Sequence, residues 1–385
     1  MIRTTRRWRL VAAAAAVGLT LAACGTTDDS DGESSGGGDG DCTPQKIAFL
    51  GALTGPYAAL GINAINGVEL AIDQYNEKNP DCTVELVKAD SGADPEKATN
   101  LAKSLIDDDE VIGLVGPLFS GESAAADPLF DEAGLPMITA SATNPTLSEQ
   151  GWTTFHRLLG NDAVQGPAVA VALTDVVEAE KVFVIDDTTE YGKGLGDAVK
   201  EALGDKVIGS DVLQPGKRSF PTQVEKVNAS GADTLVFGGY YPEAGPLVKQ
   251  VKATGWDGTF VAGDGVKDPE FVKVGGKAAE GSILTCPCVP GETITDFYEA
   301  YTAAYSVDPG TYSPEGFDAA NVFLAGITDG ITDREEMNDF VTNYDEAGIT
   351  KQISFDENGE SNEIPMWAYR VTDGEITKVQ ELQVQ

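Results

Sequence analysis

The chain has 385 residues, 42% of them hydrophobic, and sets 62 acidic against 26 basic side chains, for a net charge of -36 at pH 7. At roughly 100–200 residues per domain, this length predicts two domains or lobes around an ordinary core. So acidic a chain lacks the clustered Lys and Arg that grip a phosphate backbone, which argues against nucleic acid as a partner. The single histidine, His156, excludes zinc sites and catalytic constellations that need two imidazoles. A Ser-His-Asp triad would have to use it. It lies in Trp152-Thr153-Thr154-Phe155-His156-Arg157-Leu158, which reads as a short strand with no nucleophile elbow, so a structural role is expected.

Arg3, Arg6, Arg7 and Arg9 precede an apolar stretch at 10–23 that is too short to span a bilayer, the pattern of an export signal. The Arg6-Arg7 pair leaves the export route, general secretory or twin-arginine, open. The stretch ends in Leu21-Ala22-Ala23-Cys24-Gly25, which resembles the lipobox of bacterial lipoproteins and implies a lipidated Cys24 as the mature N-terminus. Residues 24–43 form a tether of Asp, Ser, Gly and Glu that cannot offset its own ordering entropy. Loss of 1–23 takes four Arg and no acid, leaving 22 basic against 62 acidic residues, about -40. The expected location is the outer face of the cell membrane, with acyl chains doing the anchoring at ~0.8 kcal/mol per buried CH₂.

From Lys46 onward, short β-branched runs alternate with helical segments, the signature of a parallel sheet in an α/β fold. Strands are expected at 46–51 (KIAFLG), 83–88, 111–115 and 136–139, with helices at 61–78, 95–107 and 120–132 between them. Ala98, Leu101, Ala102, Leu105 and Ile106 share one face of the middle helix. The order then repeats: strands at 181–185, 206–213, 234–238 and 259–263, with helices at 191–203, 220–228 and 242–254. The third strands lead into Gly116 and Gly239 and the fourth begin at Pro136 and Thr259, both 123 positions apart, which indicates a duplicated lobe. The remainder offers helices near 293–305, 315–326 and 334–344, then strands near 352–355 and 364–371. Read as additions to both lobes, these require three crossings, expected at 160–161, 285–290 and 348–351. Lobe 1 is then 44–160 with 289–349, and lobe 2 is 161–288 with 350–385.

Ligands of open parallel sheets bind beyond the carboxyl ends of the strands, so two facing lobes make a cleft. Four strand ends point at it: Gly116-Pro117-Leu118-Phe119-Ser120, Thr139-Ala140-Ser141-Ala142-Thr143, Gly238-Gly239-Tyr240-Tyr241-Pro242-Glu243 and Gly263-Asp264-Gly265. Ser120 opens a helix, where free amides and the dipole favour a carboxylate, and Ser141 and Thr143 add hydroxyls. The plainer alternative, an N-cap at Ser120 and a turn at 141–143, stays open. Asp264 between two glycines has little purpose unless a cation meets it, and a carboxylate–ammonium pair in a closed cleft is a strong one. Tyr57, Phe119, Tyr191, Tyr240 and Tyr312 are candidates for an aromatic chamber or for ordinary core. Hydroxyls on one wall and a carboxylate on the other suit a zwitterionic amino acid.

Five ordered blocks carry a resemblance: Gly51-Ala52-Leu53-Thr54-Gly55-Pro56, Gly116-Pro117-Leu118-Phe119-Ser120, 136–143 (PMITASAT), Glu190-Tyr191-Gly192-Lys193-Gly194 and 238–243 (GGYYPE). Together they resemble the leucine/isoleucine/valine-type substrate-binding proteins of branched-chain amino-acid ABC importers, which are type I periplasmic binding proteins, over Lys46 to about Val371. The resemblance implies two Rossmann-like lobes on a three-segment hinge, no catalysis, no cofactor or metal, and a monomer that delivers a small neutral amino acid to a permease. It implies carboxylate contacts at Ser120, Ser141 and Thr143, aromatic contacts at Tyr191 and Tyr240, and an ammonium contact at Asp264. Better-known members carry Glu at that last position. Phe119 and Leu60 stand where members differ.

With Cys24 assigned to lipid, four cysteines remain in an export compartment. Cys42 and Cys82 precede strands that would lie side by side, which predicts a bridge between them. Cys286-Pro287-Cys288 predicts a small structural disulfide beside the second crossing, the alternative being a redox pair. An enzyme is disfavoured because no G-x-x-x-x-G-K-[ST] occurs and Gly192-Lys193-Gly194-Leu195-Gly196 fails the dinucleotide spacing. A binding protein for amides or urea, and a sensor feeding a signalling receptor, remain as alternatives.

Overall fold

A computed structural model describes residues 44–384. The expected signal segment, Cys24, the tether and Cys42 lie outside the described residues. Cys82 is disulfide-bonded, while Cys286 and Cys288 bridge each other with Cα atoms 5.0 Å apart. Among the described residues no helix is long and apolar enough to cross a membrane.

The first half runs β1 (Gln45–Gly51), α1 (Ala58–Lys78), β2 (Val84–Asp90), α2 (Pro95–Ile106), β3 (Val111–Val115), α3 (Ser120–Glu132), β4 (Met137–Thr139) and β5 (Phe155–Arg157). The second runs α4 (Asp162–Ala172), β6 (Val182–Asp186), α5 (Glu190–Leu203), β7 (Val207–Val212), α6 (Pro221–Ser230), β8 (Thr234–Gly238), α7 (Tyr241–Ala253), β9 (Thr259–Ala262), α8 (Pro269–Gly275) and β10 (Ile283–Cys286). Then follow α9 (Thr295–Tyr305), α10 (Ser313–Thr328), α11 (Arg334–Thr342), β11 (Asp345–Ala347), β12 (Gln352–Ser354), β13 (Trp367–Thr372) and β14 (Glu375–Glu381).

The duplication is visible in the strand order. One sheet reads β2-β1-β3-β4-β5; the other reads β14-β13-β10-β9-β8-β6-β7, whose five parallel strands repeat the same order. β3, β6 and β8 are buried along their whole length, as strands covered by helices on both faces must be. Caps set several helix starts: the Asp94 carboxylate takes the Glu96 and Lys97 amides, and Thr189 takes the Gly192 amide. α1 and α10 approach so closely that a Cβ on Gly67 would stand 2.0 Å from the Ser313 carbonyl oxygen, and one on Gly316 2.3 Å from that of Ala64.

The two sheets define two lobes, and three passages of chain meet where they join. A Cβ on Gly160 would lie 2.3 Å from the Ile364 side chain and 3.5 Å from that of Pro287. The third passage therefore runs through Ile364 and not through 348–351 as expected. β12 pairs with β11 in a separate hairpin and does not join the second sheet. The next turn stays on the first sheet, because Gly359, at φ +75°, lies flat against β5 and accepts the Arg157 amide. A Cβ there would stand 1.9 Å from the Phe155 carbonyl oxygen. The second lobe regains the chain at β13, and β14, which the polar sequence had concealed, completes its edge.

His156 sits away from the cleft, its ring edge-on to Phe355 at 4.9 Å and its Nε2 3.2 Å from the Thr342 hydroxyl. Burial pulls its pKa down to about 4. Replacing Gly67 by Ala is expected to cost about 1–3 kcal/mol, since two helix backbones must separate to admit one methyl group. Urea denaturation measures that loss.

Candidate functional site

The loop after β1 is shaped by Asp90, whose carboxylate accepts the Leu53 amide at 2.9 Å, the Thr54 amide at 3.1 Å and the Thr54 hydroxyl at 2.6 Å. After β3 the chain turns through Gly116 and Pro117 into α3. There Phe119 occupies the cap position and Ser120 the first helical position, so Ser120 is not the N-cap. The capping work falls to buried Glu122, which accepts the Phe119 amide at 3.2 Å and the Ser91 hydroxyl. The Ser120 hydroxyl accepts the Asn144 amide at 3.2 Å, which leaves its own proton to donate toward the cleft.

The segment after β4 is held from beneath by Arg157, which is wholly buried. Its guanidinium donates to the Ala142 and Asn144 carbonyl oxygens at 2.7 and 2.9 Å and forms a two-pronged pair with Glu360. Glu360 also accepts from Asn161 at 3.0 Å, at the first passage between lobes. Within this segment the Ser141 hydroxyl donates to the Leu118 carbonyl, so its proton is committed inside the protein. Thr143 is different: its hydroxyl lies beside the Asp162 carboxyl and, among the described residues, has no well-aligned partner.

Asp264 follows β9 and is buried. One carboxylate oxygen accepts the Tyr191 hydroxyl at 2.9 Å and the other accepts the Tyr312 hydroxyl. Burial pushes this carboxyl up, against the lowering effect of the Tyr312, Gln165 and Tyr191 hydrogen bonds. The flanking glycines now have a reason. A Cβ on Gly263 would stand 2.6 Å from the Tyr191 hydroxyl oxygen, and one on Gly265 2.7 Å from the Tyr191 ring.

Phe119, Ser120, Ser141, Tyr191, Tyr240 and Asp264 line one narrow cavity of about 10 Å³, together with Leu60, Leu118 and Tyr312. The rings close over it, Tyr240 lying 4.9 Å from Tyr191, 5.4 Å from Phe119 and 5.2 Å from Tyr57 between centroids. Tyr57 thus stands one ring back from the cavity wall, and Thr143 lies behind it beside Asp162.

Three contributions were not legible in the sequence. Tyr312 acts through its hydroxyl and not only its ring. Asp162 is a second buried carboxyl, pushed well up by burial and by Asp264 against the lowering effect of the neighbouring Thr143 hydroxyl and Arg157. Asp187 and Glu243 are buried acids whose charges reach the Tyr57 phenol. Burial pushes the Asp187 and Glu243 carboxyls up as well, which favours their neutral forms. Among the described residues no group of His, Cys, Asp or Glu is placed to hold a metal ion.

This architecture, two parallel-sheet lobes with a polar cavity between facing strand ends, is that of a type I periplasmic binding protein. The profile of the periplasmic binding protein family matches residues 44–375, and the chain belongs to that family. An amino acid binding protein of Pseudomonas aeruginosa is 33% identical over 288 residues, 70% of this chain and 73% of that protein. The Leu/Ile/Val-binding protein of Escherichia coli is 30% identical over 247 residues, 63% of this chain and 67% of that protein. Among solved structures, a leucine binding protein of Thermotoga maritima superposes with a TM-score of 0.81 at 28% identity, covering 88% of this chain and 99% of that one. A branched-chain amino acid transporter substrate binding protein of Streptococcus pneumoniae, in complex with isoleucine, gives 0.81 at 26% identity over the same shares.

Burial lifts the Glu122 carboxyl to about 8, against hydrogen bonds from Ser91 and Phe119. The folded state then keeps a proton that the unfolded chain gives up near pH 4.5, so this contribution to stability is full below that pH and is lost as pH rises to about 8. Asp187 and Glu315, both raised to about 7 by burial, act in the same direction. Unfolding free energy is expected to fall between pH 6.5 and 8, by about 1.4 kcal/mol per unit for each group still protonated. Glu122→Gln should flatten that slope, as read by urea titrations at several pH values.

Proposed function

We propose that this protein captures a small neutral amino acid, of the branched-chain or another apolar type, and delivers it to an ABC import permease. The observation that carries the reading is the pairing of opposite walls. Asp264, buried between two tyrosine hydroxyls, offers a charged acceptor for an ammonium group. Across the cavity, Ser120 at the start of α3 offers an oriented hydroxyl and first-turn amides for a carboxylate. Thr143, expected to add a hydroxyl, stands with Asp162 behind this wall and supports it. Phe119, Tyr191 and Tyr240, with Tyr57 behind, receive the side chain.

Ser141 contributes through its backbone and shapes the wall. In this reading the ligand first docks on the Ser120 side, and closure of the second lobe brings Asp264 and Tyr240 against it. Closure excludes water, which strengthens every charged contact. Residues 44–160 with 289–363 would move as one lobe against 161–288 with 364–385, about the passages at Gly160, Pro287 and Ile364. The protein would act as a monomer outside the cytoplasm, tethered through lipid on Cys24, with a Cys42–Cys82 bridge at the base of the first lobe.

A thermal-shift screen of the twenty amino acids plus small amides is expected to raise the melting temperature with neutral aliphatic amino acids. A shift with amides or urea alone would reject the amino-acid reading. Asp264→Ala should weaken amino-acid binding by about 3–5 kcal/mol, the range for removing one partner of a buried ion pair. Titration calorimetry showing an unchanged affinity would reject the ammonium role.

A further inference from the structure

Several hydrogen bonds cross from one lobe to the other. Two belong to the site's floor: Tyr312 to Asp264, and Thr311 to the Lys267 carbonyl oxygen at 2.5 Å. Three more involve two side chains that do not line the cavity. The Tyr241 hydroxyl, at the start of α7 in the second lobe, donates to the Pro56 carbonyl oxygen at 2.6 Å and accepts the Ala59 amide at 3.4 Å. The Asn144 carboxamide, after β4 in the first lobe, donates to the Glu190 carbonyl oxygen at the start of α5 at 2.7 Å. β1 and β4, which lead to these two contacts, flank β3 in the sheet, and β3 leads to Ser120. The contacts therefore sit on either side of the ligand wall.

Both side chains are built into place. Tyr241 and Asn144 are 6% and 5% exposed, so their bonds are shielded from competing water. The Asn144 oxygen accepts the Thr146 amide at 2.9 Å and hydroxyl at 2.7 Å, which turns its NH₂ toward the other lobe. A side chain at Gly194 would obstruct this, its Cβ falling 3.1 Å from the Asn144 nitrogen. Tyr241 gives the GALTGP loop a role that ligand contacts alone leave unused, because its phenol joins the GGYYPE turn to that loop.

We infer that Tyr241 and Asn144 are positioning residues that latch the lobes shut without touching the ligand. A bond that exists only when the lobes meet favours the closed state whatever lies between them. It therefore shifts the open–closed equilibrium and multiplies the affinity of every ligand by one factor. This goes beyond the proposed cargo, since it concerns closure and not recognition.

The test is single-molecule energy transfer on the full chain, with fluorophores on non-natural residues at the exposed positions 96 and 225, one in each lobe. With no ligand added, the wild-type chain is expected to visit the closed state. Y241F and N144D should each lower the closed-to-open ratio about three- to tenfold, the range for one shielded hydrogen bond. The double variant should lower it by the product. N144D keeps the acceptor for Thr146 and sets a carboxylate oxygen against the Glu190 carbonyl, so its drop should be at least as large as that of Y241F, and far-ultraviolet circular dichroism checks that both variants fold. A wild-type chain that never closes unaided, or an unchanged ratio in either variant, overturns the inference. Because no ligand is used, the outcome is separate from the identity of the cargo. With L-leucine, L-isoleucine and L-valine as probes, those that bind should lose affinity by one common factor, and factors that differ from ligand to ligand would also overturn it.

Discussion

A carboxylate sealed from water is costly unless it is hydrogen-bonded, and the cleft is organised around meeting that cost at Asp264. Its two oxygens take hydroxyls from opposite directions, Tyr191 on α5 of the second lobe and Tyr312 at the start of α10, which packs with α1 in the first. The turn that carries it must pass so close beneath Tyr191 that both neighbours are glycine. Tyr240 then packs on Tyr191, Tyr57 and Phe119 pack on Tyr240, and the chamber's aromatic character follows from the need to shield one charge.

The same logic extends outward through buried polar groups that work in sets. Arg157 supports the 142–144 segment and is neutralised by Glu360, which in turn binds Asn161 where the chain first changes lobes. The wall expected to hold a carboxylate is thus tied by one ion pair to two of the three passages between lobes. Near the second passage, the Cys286–Cys288 disulfide and the Val289 amide bound by Glu315 at 2.7 Å stiffen the strand that leaves β10. Such groups tie each lobe's own elements together and leave the passages as the chain's only links between the lobes among the described residues.

Much of this was legible in order along the chain. Apolar β-branched runs announced the central strands because strands buried on both faces cannot afford polar residues, and the 123-residue offset announced the duplication. Less was legible wherever a residue's meaning depends on a distant partner. Arg157 read as part of an ordinary short strand, and only the fold shows its guanidinium turned inward to Glu360, 203 positions away. Tyr312 read as a ring, whereas its hydroxyl is what reaches Asp264. Ser141 read as a donor, but its proton is spent on Leu118. The tail was read across the wrong boundary, because Gly359 can lie flat on β5 only for reasons of backbone shape that composition does not reveal.

The sequence by itself determined the α/β class, the repeated lobe and the strand ends where a ligand would be met, because periodicity and the positions of Gly and Ser are local properties of a chain. The tertiary structure alone decided which hydroxyl protons point into the cleft, which carboxyls lie buried together, where the third passage falls and which side chains join the lobes. Those are matters of distance and desolvation, and they are defined only when segments far apart in sequence are brought within a few ångströms of one another.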